Sequence, residues 1–181
     1  MILSVPISET WLLAARCEGR RRDLAHVGHG SYLADEERKA GHNVTGLVGE
    51  IAFMLVSGCP VDWSDRPGGD GGADFTVGNA TIDAKTATYP KYLFLPVEAR
   101  NRSDLYVQAG WREDMMRVDL LGWETRPVLE RAPTLTTRFG VTNHAIPAGD
   151  LRPMWLLFSE IERHRVEFMS EPCPTLRSAV A

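Results

Sequence analysis

The sequence predicts a single α/β domain in which helices bracket a run of strands. Three observations lead there. Residues 8–22 (SETWLLAARCEGRRR) and 43–58 (NVTGLVGEIAFMLVSG) repeat apolar side chains at helical spacing, and residues 151–164 (LRPMWLLFSEIERH) do so again. Between the second and the third, short stretches rich in β-branched and aromatic residues read as strands. The length of 181 residues, 44% of them apolar, suits one domain over 1–181 with a sizeable core, undivided by any repeat or linker.

Composition narrows the class further. The longest apolar run, IAFMLVSG at 51–58, is far shorter than the roughly 20 residues a bilayer span requires. The stretch MILSVPISETWLL has no basic leader and carries Glu9 early, so no secretory signal is expected. Cys17, Cys59 and Cys173 are widely spaced and odd in number, which fits neither a disulfide framework nor a zinc site and points to a reducing cytoplasm. The net charge of −4 lacks the strongly basic footprint of many nucleic-acid binders, although a cation site itself demands local acidity. Basic charge is nearly all arginine: Lys39, Lys85 and Lys91 are the only lysines.

The first helix is expected over 8–22, with Ser8 as N-cap, Trp11, Leu12 and Ala15 on one face, and Arg20–Arg22 favourably placed at the C-terminal end. A polar segment follows; its DEERK run at 35–39 reads as solvated surface, and His26, His29 and His42 have no metal-ligand spacing. The second helix is expected over 43–58, capped by Asn43 or Thr45, burying Leu47, Val48, Ile51, Met54 and Leu55, and ended by Gly58. Gly46 and Gly49 each cost about 1 kcal/mol in a helix interior, which predicts close approach to another backbone. Glu50 is the lone charge in this apolar stretch. The loop WSDRPGGDGGA (63–73) lacks GK[ST] and reads as a flexible lip rather than a phosphate loop. Strands are expected at KYLFLPV (91–97), DLYVQAGW (104–111), RVDLLGW (117–123) and HAIP (144–147). A short helix is expected at TRPVLER (125–131) with Pro127 in its first turn, and a final one capped by Asp150 with Pro153 inside its first turn. Trp111, Trp123 and Trp155 are assigned to the core, and His144 to a structural role.

The stretch DFTVGNATIDAKT (74–86) is the most informative. With Gly78-Asn79 as a two-residue turn, Val77 faces Ala80, Thr76 faces Thr81, Phe75 faces Ile82, and Asp74 faces Asp83. Alternation then puts Phe75, Val77, Ala80, Ile82 and Ala84 on one face and Asp74, Thr76, Thr81, Asp83 and Lys85 on the other. Directly opposed carboxylates repel unless they share a proton or hold a cation. Oxygen-only ligands select Mg²⁺, Mn²⁺ or Ca²⁺ over zinc. The same alternation also suits a hairpin with one wet face. Glu50 favours the cation, because a carboxylate among apolar residues needs compensation for lost hydration. Gln108 is a candidate to line the site, and Thr86 a supporting strand residue.

The order Glu50 in GLVGEIAF, Asp74 in GGADF, then Asp83 and Lys85 in IDAKT resembles the PD-(D/E)XK nuclease superfamily, with its restriction-endonuclease-like fold. SDLYVQAGW, LLGWETR and HAIPAGDLRPM are similar to the later strands and closing helix of small phage-type members, so the likeness covers about residues 40–160. Ala73 stands where the name-giving proline would be. The resemblance implies a central mixed β-sheet flanked by helices and Mg²⁺-dependent hydrolysis of DNA phosphodiester bonds, with Mn²⁺ able to substitute, in an endonuclease of phage or mobile-element origin. It implies that Asp74 and Asp83 ligate the metal together with the Ala84 carbonyl, that Glu50 binds directly or through water, and that Lys85 orients or helps deprotonate the attacking water and steadies phosphate charge. It allows a homodimer. The alternatives are an inactive module of the same fold that binds DNA or serves assembly, and an unrelated α/β protein in which Glu50 lies far from Asp74.

Overall fold

A computed structural model describes residues 2–25, 36–61, 73–98 and 103–170. Its architecture is α/β. Strands β1 (Leu3–Pro6), β2 (Phe75–Val77), β3 (Ala80–Thr88), β5 (Leu105–Arg112) and β6 (Arg117–Thr125) form a mixed five-stranded sheet in the order β1-β6-β5-β3-β2. Among the described residues of this sheet, only the β3–β5 pair is parallel. Strands β4 (Tyr92–Pro96), β7 (Thr134–Thr136) and β8 (Thr142–Pro147) form a second, antiparallel sheet in the order β4-β8-β7. Among the described residues, four α-helices accompany them: α1 (Glu9–Ala25), α2 (Glu36–Ser57), α3 (Arg126–Leu129) and α4 (Met154–Ser170).

Helix α1 starts as expected, with Ser8 Oγ accepting the Trp11 N–H at 3.3 Å. Leu12 and Ala15 are buried. Helix α2 begins earlier than the apolar period suggested, at Glu36, so neither Asn43 nor Thr45 is its cap. Thr45 instead donates back to the Gly41 carbonyl at 2.9 Å from within the helix. Gly58 ends α2 at φ +67°, a left-handed conformation that glycine adopts without strain. Leu47, Val48 and Ile51 are buried as expected, whereas Met54 is half-buried and Leu55, in the last turn of α2, is exposed.

Helices α2 and α4 cover one face of the main sheet. Leu47, Val48, Ile51 and Phe53 pack with Phe75, Ile82, Val107 and Leu120, and with Met154, Leu157 and Ile161 of α4. Phe53 touches Phe75 (ring centroids 4.7 Å apart) and Phe158 (6.1 Å). The other face carries a smaller cluster of Leu93, Leu95, Tyr106, Leu129, Ile146 and Leu151, which ties the second sheet to β5.

Several sequence expectations change. Strand β1 was unanticipated; it pairs with β6 from Leu3↔Leu120 to Pro6↔Arg117, and Ser4 Oγ donates to the buried Asp119 at 2.5 Å. Asp150 closes a 3-10 turn (Ala148–Asp150), and Pro153 precedes α4, so neither belongs to that helix. The intervening Arg152 bridges to Trp123, held against Gly122, where a Cβ would fall 2.6 Å from that of Leu151. Trp111 and Trp123 are core residues, but Trp155 is 59% exposed. The 63–73 loop, except Ala73, lies outside the described residues, as do His26, His29 and Cys173.

Candidate active site

Helix α2 contributes Glu50, and its position depends on its neighbour. A Cβ on Gly49 would lie 1.8 Å from Thr86 Oγ1, an impossible distance, so the helix rests directly on β3 at this glycine. Gly46 has nothing within 4 Å and plays no such part. Glu50 is therefore carried inward to 7% exposure. A carboxylate there needs compensation for its lost hydration. Part comes from Arg22 of α1, whose Nη1 lies 3.8 Å from Glu50 Oε1. Arg22 also contacts Glu18 at 3.0 Å, and Arg21 grips the same carboxylate through two 2.7 Å bonds. Those arginine hydrogen bonds, Arg21 foremost, hold Glu18 below its ordinary pKa despite burial.

The hairpin pairs Phe75↔Ile82, Thr76↔Thr81 and Val77↔Ala80 in the expected register, but the ladder stops at Phe75, so Asp74 is not paired opposite Asp83. Gly78 adopts φ +58°, as the tight turn requires. Asp74 lies on a bend just before β2, which is an edge strand. Its Oδ2 accepts the Ala84 N–H at 2.7 Å. Burial raises the Asp74 pKa well above the carboxylate range, and the charges of Glu50 and then Asp83 raise it further; the Ala84 N–H and Lys85 act against them. Asp83 forms an ion pair with Lys85, with Nζ–Oδ2 2.6 Å.

The two faces of β3 explain this arrangement. Ile82 and Ala84 are buried in the core cluster beneath α2, and Thr86 lies against Gly49 on that side. Asp83 and Lys85 project from the opposite face, alongside their partners Tyr106 and Gln108 on β5. Glu50 thus approaches from the helix side and Asp83 from the other, and Asp74, at the sheet edge, senses both. Among the described residues, no three His, Cys, Asp or Glu side chains are drawn together tightly enough to hold a metal ion as placed. For Ala84 the structure shows the N–H contact to Asp74, whereas the sequence reading invoked its carbonyl.

Three neighbours escaped the sequence reading or were only half seen. Gln108 is 2% exposed, and its side-chain amide donates to the Lys85 carbonyl at 2.8 Å and to the Ala109 carbonyl at 3.2 Å, beside a β-bulge. Tyr106 is fully buried opposite Asp83; its pKa is raised by burial first and by Asp83 second, with Lys85 and the Ser103 N–H opposing. Its hydroxyl makes no hydrogen bond of good geometry. Arg22 read as a helix-end cation, and only the packing of α1 on α2 reveals its second partner. His144 has the structural role expected, with Nδ1 3.2 Å from the Ala132 carbonyl oxygen.

Comparison with protein-family models, curated proteins and solved structures finds no match to this chain.

Proposed function

We propose that the chain is a metal-dependent nuclease that hydrolyses DNA phosphodiester bonds, an endonuclease of phage or mobile-element type built on a restriction-endonuclease-like core. The observation that carries this reading is where Asp74 sits: its Oδ2 accepts the Ala84 N–H at 2.7 Å, between Asp83 and Lys85 in sequence, on the strand against which Gly49 seats α2 and Glu50. Two further carboxylates, from a helix and from the adjoining strand, raise its pKa, and a lysine two residues along that strand pairs with one of them. A stable fold gains nothing by stacking like charges at a half-buried edge, whereas a divalent cation would turn the repulsion into attraction.

The donor set fits a hard cation, since Glu50, Asp74 and Asp83 offer oxygen alone. Those three residues would hold Mg²⁺ or Mn²⁺, with the Ala84 carbonyl as a further ligand. The bound ion supplies Lewis acidity and lowers the pKa of coordinated water. The chain's own residues do the rest. Asp83 holds Lys85 on its face of the sheet, where the ammonium can meet a scissile phosphate and steady the charge that builds on it. Gln108 fixes the backbone that carries Lys85, and Arg22 restrains Glu50. The test is plasmid and linear DNA incubated with purified protein and Mg²⁺. Wild type should cut. Asp83→Ala and Lys85→Ala should each lose at least about a hundredfold in rate while retaining the wild-type melting temperature. DNA left intact by the wild type under Mg²⁺ and under Mn²⁺ would refute the reading.

One observation favours a second reading, an inactive module of the same fold that binds DNA. The carboxylates already have cationic partners from the chain itself: Lys85 on Asp83 and Arg22 beside Glu50. In such a module these pairs replace the metal. The two readings part on metal affinity.

A further inference from the structure

The β7–β8 ribbon stands apart from the rest of the surface in both charge and exposure. Residues 131–149 contain no aspartate or glutamate, although the chain has 24 of them; the segment's charged groups are Arg131 and Arg138. All three residues of β7 are exposed, and β7 is an edge strand of its sheet. At the tip, Arg138 lies over the Phe139 ring, with the guanidinium carbon 4.7 Å from the centroid, and Phe139 is 68% exposed. Leu135 and Val141 flank it at 41% and 47%. The turn is fixed by Thr137 N–H to the Val141 carbonyl and Gly140 N–H to the Thr137 carbonyl, both 2.9 Å, and Gly140 takes φ +78°. Thr136 and Thr142 join hydroxyls across the ribbon at 3.1 Å.

Its location matters as much as its chemistry. Pro90 abuts Gly110 near the end of β5, where a Cβ would meet it at 3.2 Å, and Leu93 and Leu95 pack with Tyr106. Strand β4 therefore runs back over the face that carries Asp83 and Lys85, toward the level of Tyr106, the strand partner of Asp83. Pro96, at the far end of β4, pairs with Asn143, where the ribbon leaves the sheet.

We propose that the β7–β8 ribbon is the surface that engages duplex DNA, lying in a groove with Arg138 on a phosphate and Phe139 against the sugar-base wall. A two-stranded ribbon matches the width of the major groove. The ribbon itself brings Arg138 and no carboxylate to the polyanion, Glu130 lying at its base in a pocket shared with His144, and an exposed aromatic at a tip provides apolar contact in a groove. The proposal rests on the reading of the chain as a DNA-processing protein and assigns where its substrate is held.

The test uses the full chain and a fluorescein-labelled 20-base-pair duplex, followed by anisotropy in EDTA across a salt series. Arg138→Ala should weaken binding about tenfold and lower the slope of log K against log salt by about 1. Phe139→Ala should weaken binding about fivefold with the slope unchanged. Arg163→Ala on α4, a cation exposed elsewhere, should leave both quantities as in the wild type. Wild-type affinity and slope in Arg138→Ala and Phe139→Ala would overturn the proposal, as would a wild type that fails to bind the duplex at low salt. With Mg²⁺ present, the ribbon substitutions should raise KM and leave kcat unchanged. A protein that binds through the ribbon and cuts nothing defeats the nuclease reading alone. One that cuts with an unaltered KM in both variants defeats the ribbon alone.

Discussion

At Asp74 a single side chain reports on three others. Its carboxyl is held above the ordinary carboxylate range by burial and by the charges of Glu50 and Asp83. A carboxyl whose folded pKa exceeds its unfolded pKa stabilises the fold at low pH, and that contribution is lost as pH rises through the folded value. Without metal, the wild type should therefore lose stability as pH climbs above the carboxylate range. Asp74→Asn can still accept the Ala84 N–H through its amide oxygen, so it should remove this loss and raise the melting temperature at neutral pH. Each 1 kcal/mol relieved corresponds to about 2–4 °C in a chain of this size. Scanning calorimetry from pH 4 to 8 in EDTA checks this, and an Asp74→Asn curve parallel to the wild type would contradict it. The pairing of Phe75 to Val77 with Ala80 to Ile82 was legible because the hairpin register follows from a local turn signal, Gly78-Asn79, by counting outward. Arg22 and Tyr106 were not legible. Each owes its place beside a carboxylate to a contact between elements distant in sequence, and arginine or tyrosine in a helix or strand carries no local sign of that.

Between elements, the junction of α2 and β3 sets the geometry. The sequence marked Gly46 and Gly49 alike, because both carry the same propensity cost; only packing separates them. Gly49→Ala should destabilise the protein by roughly 1–3 kcal/mol, since its Cβ would collide with Thr86. Gly46→Ala meets open space and should stabilise by up to about 1 kcal/mol. Urea unfolding midpoints of the two variants decide this, and equal signs would mean that α2 does not sit on β3 as described. Helix boundaries were read less well than helix existence. The apolar period of α2 begins at 43–48, but the helix extends back to Glu36 through residues whose helical state leaves no apolar trace. Strand β1 was missed for a related reason: four residues, LSVP, are too few to signal a strand alone and become one by pairing with β6.

For the molecule as a whole, the α/β class was legible and the division into two sheets was not. KYLFLPV carries the same strand pattern as DLYVQAGW, yet β4 joins β8 and β7 rather than the main sheet. What directs it there is a non-local match of apolar faces, Leu93 and Leu95 onto Tyr106 and Leu129. The main sheet presents its carboxylates from both sides of one edge, Glu50 from the helical face and Asp83 from the face beneath the second sheet, with Asp74 between them. A divalent cation is what, on the proposed function, that edge is built to receive. Isothermal calorimetry of the metal-free protein with Mn²⁺ at neutral pH tests this most directly. Saturable binding is predicted for the wild type, weakened at least about tenfold in Asp74→Asn and in Asp83→Ala. Absence of binding in the wild type, or the same binding in all three proteins, would contradict it.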